Sequence, residues 1–396
     1  MYLWSRMPLS DAMIFSEIYD EGGEKVFVMR DTIEVRIPKQ FYSQLKRKYS
    51  DEEIVSIHEP KRLRLHQTKR ELIYVTRESQ IPLVGHTAFG LIDRGTNLIQ
   101  VRPISGCNLN CIFCSVDEGH TSTRKTDYIV DTDYLVEEFA KIASLKGNDV
   151  EAHIDGQGEP FIYPYMAELL EKLRKVPQVR TISAQSNGML LDEKKIKSFA
   201  GLLDRVNLSI MSLDERRGKI LAGTNSYSVE HVKNVARALA ASEIDVLLAP
   251  VWVPGFNDDD IPGIIEFGLE IGAGKKYPAF GIQNYVRYQF GKKVKNKPMK
   301  FSEFFEKMAA LEEKYHTKLK LAPADFGIHR APALPKVFHT GDRVKLEIVA
   351  PGRVNGEMLA VSNDRVIGVL TDKPVGARVS AEITRTTDNV YVAKTE

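Results

Sequence analysis

The sequence predicts an α/β fold with a smaller unit at each end. From about Leu98 to Tyr315, six short apolar runs rich in β-branched residues each precede a segment with helical spacing. Six strand–helix units in succession are typical of a parallel sheet with right-handed crossovers. We therefore expect an N-terminal α+β extension at 1–92, a core at 93–321, a proline-rich linker at 322–335 and a small all-β barrel at 336–396.

The six predicted units follow one another closely along the core. As strand and helix, they are 98–101 with 132–145, 150–154 with 163–175, 181–186 with 193–199, 205–210 with 229–241, 245–253 with 261–271, and 280–288 with 301–315. Six units are too few for a full eight-stranded barrel. Such folds place their sites on the loops that follow the strands, so polar residues at the strand ends become candidates for ligand binding.

The only cysteines of the chain are Cys107, Cys111 and Cys114, in the run SGCNLNCIFCS. An odd count within eight residues argues against a secreted protein stabilised by disulfides. Thiolates at this spacing bind zinc or iron–sulfur clusters. A closed zinc site would need a fourth ligand, for which His120 is the nearby candidate. A [4Fe–4S] cluster on three cysteines would instead leave one iron open.

A second motif, Gly156-Gln157-Gly158-Glu159-Pro160, follows the strand predicted at 150–154. A strand that ends in a glycine-rich bend exposes backbone groups and lets a ligand approach closely, and a zinc finger has no use for it. The C-x3-C-x2-C run with Phe113 before its last cysteine, followed by this bend, resembles the radical S-adenosylmethionine (SAM) superfamily. The bend stands where that family usually has Gly-Gly-Glu. The resemblance implies a partial (β/α)6 barrel.

The resemblance also implies a cofactor set. The three cysteines would ligate three irons of a [4Fe–4S] cluster, and the open iron would chelate the amino and carboxylate groups of SAM. Reduction by a donor such as a ferredoxin or flavodoxin would cleave SAM to methionine and a 5′-deoxyadenosyl radical, which abstracts hydrogen from the substrate.

Residues for SAM follow from the two motifs and from the strand ends. Phe113 would lie near the adenine, and Gly158 and Glu159 would line the methionine amino group. Ser186, Asn187 and Ser209 are candidates for ribose or methionine contacts, although Ser186 and Asn187 could instead cap a helix. The full predicted set is Phe113, Gly156, Gly158, Glu159, Ser186, Asn187, Ser209 and Val251. No catalytic side chain is nominated.

The C-terminal strands resemble the TRAM domain, an RNA-binding module of tRNA- and rRNA-modifying enzymes. The matching positions are Gly356-Glu357, Gly368-Val369 and Pro374-Val375-Gly376. Basic residues here, Arg353 and Arg365 among them, could contact phosphates. Acidic residues nearly cancel their charge, so a solvated surface of mixed charge is the alternative. A second basic run, with Lys292, Lys293 and Lys295, follows the sixth strand and borders the expected mouth of the site.

A radical core followed by a TRAM-like tail resembles the tRNA methylthiotransferases and, more nearly, an uncharacterised archaeal-type group. Methylthiotransferases carry three further cysteines for a second cluster, and this chain has none. We therefore predict a single-cluster radical enzyme that modifies a base in tRNA or another structured RNA. The alternatives are a small-molecule substrate, such as a cofactor or lipid precursor, and a non-catalytic RNA-binding protein with a cluster or zinc.

Composition fits an enzyme of the cytoplasm without a membrane partner. The net charge is +2, which neither demands nor excludes a polyanionic partner. No apolar run reaches the roughly 18–20 residues of a membrane span, and the N-terminus lacks the pattern of a signal peptide. The reducing cytoplasm also suits an oxygen-sensitive cluster. The sequence leaves the oligomeric state open.

Overall fold

The computed structural model describes residues 14–58, 62–119 and 121–395. His120, the zinc ligand considered above, lies outside the described residues. The strands are β1 Phe15–Glu21, β2 Glu24–Met29, β3 Ile33–Pro38, β4 Arg62–Leu65, β5 Glu71–Val75, β6 Gly90–Asp93, β7 Leu98–Arg102, β8 Thr126–Val130, β9 Val150–Ile154, β10 Val179–Ser186, β11 Arg205–Leu208, β12 Asp245–Leu248, β13 Val251–Trp252, β14 Gln283–Asn284, β15 Arg343–Pro351, β16 Glu357–Ser362, β17 Arg365–Leu370, β18 Arg378–Arg385 and β19 Val392–Thr395.

The helices are α1 Lys39–Leu45, α2 Asp51–Ile57, α3 Thr132–Lys146, α4 Met166–Arg174, α5 Glu193–Ser198, α6 Glu215–Ala222, α7 Val229–Ala241, α8 Asp260–Glu270 and α9 Phe301–Tyr315. On α7, the buried residues Val232, Val235, Ala236 and Leu239 recur at helical spacing and form the face that packs in the core. None of the described helices has the length and apolar composition needed to cross a membrane.

The core is a sheet with the order β12-β11-β10-β9-β7-β6. Its first five strands run parallel, and β6 pairs antiparallel with β7 at the edge. The predicted α/β class is thereby confirmed. The sixth predicted strand, 280–288, is reduced to β14, which pairs with β13. It stops early because Arg287 turns to donate hydrogen bonds to the carbonyls of Val294, Lys295 and Asn296 in its own loop.

The N-terminal extension forms a sheet that includes one strand from the predicted core range. Its order is β1-β2-β3-β4-β5-β8, and β8, from within the predicted core range, pairs parallel with β5. In return, β6, which begins inside the range assigned to the extension, completes the core sheet. The two units therefore interlock across the boundary expected at residue 92.

The C-terminal residues form a closed barrel with the order β15-β16-β17-β19-β18, which confirms the small all-β unit. Its interior contains Leu346, Ile348, Ile367 and Tyr391. Residues 322–335 differ from the free linker that we predicted. They are bonded to the core, since the Leu334 amide donates to Asp93 and the His329 amide donates to Asn97.

The barrel docks on residues 84–86 of the N-terminal half. The Val366 amide donates to the Val84 carbonyl at 3.0 Å, and the Tyr391 amide donates to the Gly85 carbonyl at 2.8 Å. Gly85 has φ +132°, and a Cβ there would overlap the backbone of Val366, so the close approach requires glycine.

This docking overturns two of the predicted RNA contacts. The side chains of Arg353 and Arg365 are only 3% and 9% exposed. Arg353 is ion-paired with Glu118 and Asp127, and Arg365 donates to the Asp364 carbonyl. Because both side chains are buried, neither is available to a phosphate.

Candidate active site

A cavity of about 460 Å³ opens at the carboxyl ends of the core strands. The structure brings all of the predicted SAM and metal residues to its wall, which are Cys107, Cys111, Phe113, Cys114, Gly156, Gly158, Glu159, Ser186, Asn187, Ser209 and Val251. They come from loops far apart in sequence, because the carboxyl ends of parallel strands meet at one edge of a sheet. Their individual roles toward SAM stay predictions.

The cysteine loop is held by the backbones of its neighbours. The amides of Asn110 and Ile112 donate to the carbonyls of Ala222 and Leu221 at the end of α6, and the Lys292 amide donates to the Cys114 carbonyl at 2.8 Å. Glycine makes these approaches possible. Gly223 has φ +66°, and a Cβ there would overlap the Asn110 carbonyl.

The three thiols share a desolvated environment. Burial raises the pKa of Cys107 and Cys114, and it raises the pKa of Cys111 to about 12, with the neighbouring thiols adding to the shift at Cys107 and Cys111. The Lys292 ammonium opposes the rise at Cys111 and Cys114. Metal binding would have to displace these protons, since the thiolate is the ligand.

The donor set fits an iron–sulfur cluster. Three thiols line one wall of an open cavity, and the rest of that cavity is free to hold a ligand of the cluster. Within residues 14–58, 62–119 and 121–395, no three His, Cys, Asp or Glu side chains are grouped so that they could hold a single metal ion. Thiolates alone are the usual ligands of a [4Fe–4S] cluster.

The glycine-rich bend lies directly against the start of the cysteine loop. Gly158 pairs with Gly106, the Gly106 amide donates to the Gln157 carbonyl, and the Glu159 amide donates to the Gly106 carbonyl, both at 2.9 Å. A Cβ on Gly158 would overlap Gly106. The glycine at this position therefore serves the contact between two backbones, in addition to lining the cavity.

The carboxylate of Glu159 is buried and fully engaged. It accepts hydrogen bonds from the Asn187 amide at 2.7 Å, the Ser186 hydroxyl at 2.9 Å and the Phe161 amide at 3.1 Å. Burial raises the pKa of Glu159 to about 7, against these donors, which favour the charged form. Glu159 thus fixes the turn after β10, and its carboxylate has no oxygen left without a partner.

The turn after β10 reaches back to the cysteine loop. The Asn187 side-chain amide donates to Asn108 Oδ1 at 2.8 Å and lies 3.9 Å from Cys107 Sγ. Ser186 accepts from the Gly188 amide, and Asn187 Oδ1 accepts from the Met189 amide. Both residues therefore stabilise the turn while they line the cavity, but neither caps α5, whose N-cap is Asp192.

The remaining predicted residues of the cavity wall are Phe113, Ser209 and Val251. Phe113 packs with Leu221, Val253 and Tyr285 in a small apolar cluster. Ser209 Oγ accepts a hydrogen bond from Gln185 at 2.9 Å. Val251 belongs to β13, whose pairing with β14 closes this side of the cavity.

The cavity residues that the sequence analysis missed include Arg102, His153 and Asp155. Arg102 Nε donates to Asp155 Oδ1 at 3.0 Å, and His153 Nδ1 lies 2.7 Å from Ser183 Oγ. Burial lowers the pKa of His153, so its imidazole is neutral. A signal was present, because polar residues at alternate positions of a buried strand, 151, 153 and 155, face the same side.

Lys292 does not have the predicted role. Its ammonium donates to the Asn110 carbonyl at 3.0 Å and to the Asn110 side chain, so it braces the cysteine loop and is not free for a phosphate. Lys293 and Lys295 are exposed beside it. Their predicted RNA contacts stay predictions.

Comparison with known proteins settles the family. The profile described as Radical SAM superfamily matches residues 101–268. The uncharacterized protein MJ0103 of Methanocaldococcus jannaschii is 41% identical over 354 residues, which cover 83% of this chain and 81% of that protein. A probable GTP 3',8-cyclase of Pyrococcus horikoshii is 30% identical over 246 residues, 61% of this chain and 72% of its own length. The chain belongs to the radical SAM superfamily.

Membership confirms that this radical SAM protein is an enzyme that uses a [4Fe–4S] cluster and SAM. The zinc alternative is therefore not retained. A GTP 3',8-cyclase of Chlorobaculum tepidum is 32% identical, but the chain spans only 56% of its length. Among solved structures, Streptococcus suis SuiB matches with a TM-score of 0.43 and 15% identity, over 78% of this chain and 71% of SuiB. None of these comparisons bears on an RNA-binding role for the C-terminal barrel.

Proposed function

We propose that this radical SAM enzyme acts on an uncharged, polar part of a small molecule that binds on the floor of the cavity. When bound, the cluster and SAM supply one-electron chemistry that removes a hydrogen atom from a substrate. What the chain contributes is a polar site beside the cysteines. The proposal rests on the polar floor of the cavity, which consists of Arg102, His153, Asp155 and Gln185.

The floor combines several hydrogen-bonding groups with little net charge. Arg102 and Asp155 neutralise each other, His153 is neutral, and Gln185 adds an amide. Burying a charged group here would need a partner that the floor does not offer, whereas a hydroxyl or an amide would be satisfied. The floor therefore favours the sugar or base portion of a substrate.

In the described part of the chain, Asn284 places a buried acceptor without a partner in the wall of the cavity. Asn284 donates from Nδ2 to the Met299 carbonyl at 3.0 Å, but its Oδ1 is buried and, among the described residues, receives no hydrogen bond. An unsatisfied buried oxygen costs about 1–3 kcal/mol. A ligand N–H or O–H group at this position would recover that free energy.

Below the floor, the interior of the sheet is closed. Ser183 donates to Glu151 at 2.5 Å, and Arg205 donates to the same carboxylate at 2.6 Å. The Arg205 guanidinium also lies over the rings of Tyr277 and Phe326, at 4.4 and 4.8 Å from their centroids. These contacts fill the space below the floor, and the filled space helps to exclude water from the reaction.

The names of the relatives agree with a small substrate. GTP 3',8-cyclases act, by that name, on a nucleotide, and one of them shares 30% identity with this chain. A nucleotide could place its base or sugar on the neutral floor.

The test compares two fractions of one cell extract. The reconstituted, reduced enzyme is incubated anaerobically with SAM and either the low-molecular-weight filtrate or the tRNA fraction, and 5′-deoxyadenosine is measured. We expect the filtrate to accelerate its formation. Gln185→Leu should remove most of that acceleration, while Lys194→Ala, on the exposed face of α5, should keep it. Acceleration by the tRNA fraction alone would contradict the small-molecule proposal.

RNA is the second candidate substrate, and the loop after β14 favours it. Tyr288 and Phe290 are 53% and 65% exposed, and Lys293 and Lys295 follow them on the same loop. Exposed aromatic rings stack on bases, and lysines contact phosphates. For this candidate, the double variant Lys293→Glu/Lys295→Glu should lose tRNA binding and its dependence on salt, whereas Lys194→Glu/Lys197→Glu should keep both.

A further inference from the structure

Two buried carboxylates fasten the two ends of the cysteine loop. Asp127, with a side chain that is 0% exposed, accepts from Ser105 Oγ at 3.1 Å, two residues before Cys107. Glu118, with a side chain that is 1% exposed, follows Cys114 by four residues. Asp127 does not line the cavity, and Glu118 lies in its wall but is not part of the proposed substrate floor.

Arginines from three parts of the chain converge on these carboxylates. Arg70, from the extension, donates from Nε to Asp127 at 2.9 Å, and Arg124, from the core, lies 3.6 Å from Glu118. Arg353, from the C-terminal barrel, forms ion pairs with both Asp127 and Glu118. The barrel thus supplies a cation that spans both ends of the loop.

The segment after Cys114 depends on these side chains for its shape. Residues 116–119 form no helix or strand. Arg70 donates to the carbonyls of Glu118 and Gly119, both at 3.0 Å, and Arg124 donates to the Val116 carbonyl. Hydrogen bonds from these guanidinium groups to backbone carbonyls take the place of the backbone–backbone hydrogen bonds that a helix or strand would provide.

Arg353 is itself held in place from both sides. Its amide donates to Glu357 at 2.7 Å within the barrel, and its carbonyl accepts from the Lys125 amide at 3.0 Å, just before β8. Its guanidinium also donates to the Thr126 carbonyl. The position of the barrel and the position of this side chain are therefore coupled.

We propose that the C-terminal barrel acts within its own chain as a clasp, formed by Arg353 with Asp127 and Glu118, that holds the cysteine loop in its cluster-binding shape. Arg353 is a positioning residue, because it acts through the loop and does not contact the cavity. This role is independent of which substrate the enzyme uses. Arg353, which we predicted to contact RNA, is thereby assigned a contact inside the protein.

The test measures how firmly the full-length protein keeps its cluster. Reconstituted Arg353→Met, Arg353→Lys and Arg378→Met variants are challenged anaerobically with a chelator, and cluster absorbance is followed over time. Arg378 is on the same barrel with a side chain that is 86% exposed, so Arg378→Met is the matched control. We expect Arg353→Met to lose its cluster about 10- to 100-fold faster, the usual effect of removing support around a metal site. The rate of cluster loss in Arg353→Lys should lie between those of Arg353→Met and the wild type, and the rate in Arg378→Met should equal that of the wild type.

A second measurement separates positioning from general damage. In Arg353→Met, amide hydrogen exchange should accelerate at Val116 and Glu118, while Ala360 and Ile367 inside the barrel keep their protection. A folded Arg353→Met protein with wild-type cluster lifetime and unchanged exchange at residues 116–119 would overturn the clasp. If Arg353→Met does not fold, Glu118→Gln decides. Faster cluster loss in Glu118→Gln supports the proposal, and a wild-type lifetime overturns it.

Discussion

Glu159 shows how a motif residue can act without offering its side chain to a ligand. Its carboxylate accepts three hydrogen bonds and is only 2% exposed, so the contact expected with the methionine amino group would have to come from the backbone of the bend. The side chain instead places Asn187 beside Cys107. We interpret Glu159 as a positioning residue for the SAM-binding turn.

Glu159→Ala should therefore weaken SAM binding and lower stability together. The change leaves the amides of Asn187 and Phe161 and the hydroxyl of Ser186 without their acceptor, at a cost of about 1–3 kcal/mol for each buried donor. Calorimetry with SAM and urea unfolding measure the two effects. Glu159→Gln, which keeps one acceptor oxygen, should lie between Ala and wild type. Loss of SAM affinity with unchanged stability would indicate a direct contact instead.

The raised pKa of Glu159 predicts a pH dependence. The folded protein holds the proton up to about pH 7, whereas the unfolded chain releases it near pH 4.5, so folding favours the protonated acid. The free energy of unfolding of the apoprotein, relative to Glu159→Gln, should fall as the pH rises from 4.5 toward 7. Urea unfolding of both proteins across this range checks the sign. If the difference in unfolding free energy between the two proteins stays constant with pH, the raised pKa of Glu159 is contradicted.

The sequence revealed the cysteines but not Arg102, His153 and Asp155, for a physical reason. Cluster ligands must lie close together, so a short loop carries them with a readable spacing. The floor residues act together only because β7, β9 and β10 become neighbours in the sheet. Nothing in the local pattern of one strand shows which other strands will flank it.

At the scale of elements, glycines outside the cysteine loop allow the neighbouring segments to pack closely against it. Gly223 ends α6 against Asn110, and Gly291 lies so close to the loop that a Cβ would come within 2.7 Å of the Ser115 carbonyl oxygen. The sequence analysis missed α6 altogether and overextended the sixth strand. The sixth strand is shorter than predicted because the residues after it are held in a loop by the hydrogen bonds of Arg287.

Gly223→Ala should damage the cluster site. The substitution strains a backbone with φ +66° and drives a Cβ into the Asn110 carbonyl, so the cysteine loop must shift. Gly201→Ala is the matched control, since Gly201 has φ +76° with open space around its missing Cβ. It should cost only the strain, roughly 1–2 kcal/mol. We expect reduced iron content per chain in Gly223→Ala alone, and equal iron content in both variants would refute the steric argument.

At the scale of the whole molecule, the extension and the core exchange strands, and the barrel docks on the N-terminal half. The α/β core and the small barrel were predictable, because hydrophobic period and turn spacing are local signals. The exchange of β8 and β6 across the first boundary was not, because parallel pairing joins segments that are far apart in the chain. The docking of the barrel was also missed. It joins segments that are far apart in the chain, and the contact at Gly85 is made by backbone groups, which leave no side-chain signal in the sequence.

Acid should loosen the barrel through Glu357. Burial alone would raise the pKa of Glu357, but the hydrogen bond and charge of His86 and the amides of Arg353 and Val354 outweigh it and hold the pKa below its usual value. The carboxylate therefore stabilises the fold above pH 4.5, and this contribution is lost as the pH falls below it. Compared with Glu357→Gln, wild-type stability should be greater at neutral pH and should converge in acid. Parallel pH profiles would exclude this role.

The link between Arg353 and Asp127 also has a consequence for biosynthesis. The two residues are 226 positions apart, and a ribosome delivers the N-terminal partner first. All three cysteines have therefore left the exit tunnel long before the arginine that completes their support has been translated. Under the proposed clasp, the cysteine loop gains its full support only after Arg353 has been translated, so a nonsense codon upstream of Arg353 would yield a chain with all three cysteines but without the ion pairs that hold their loop.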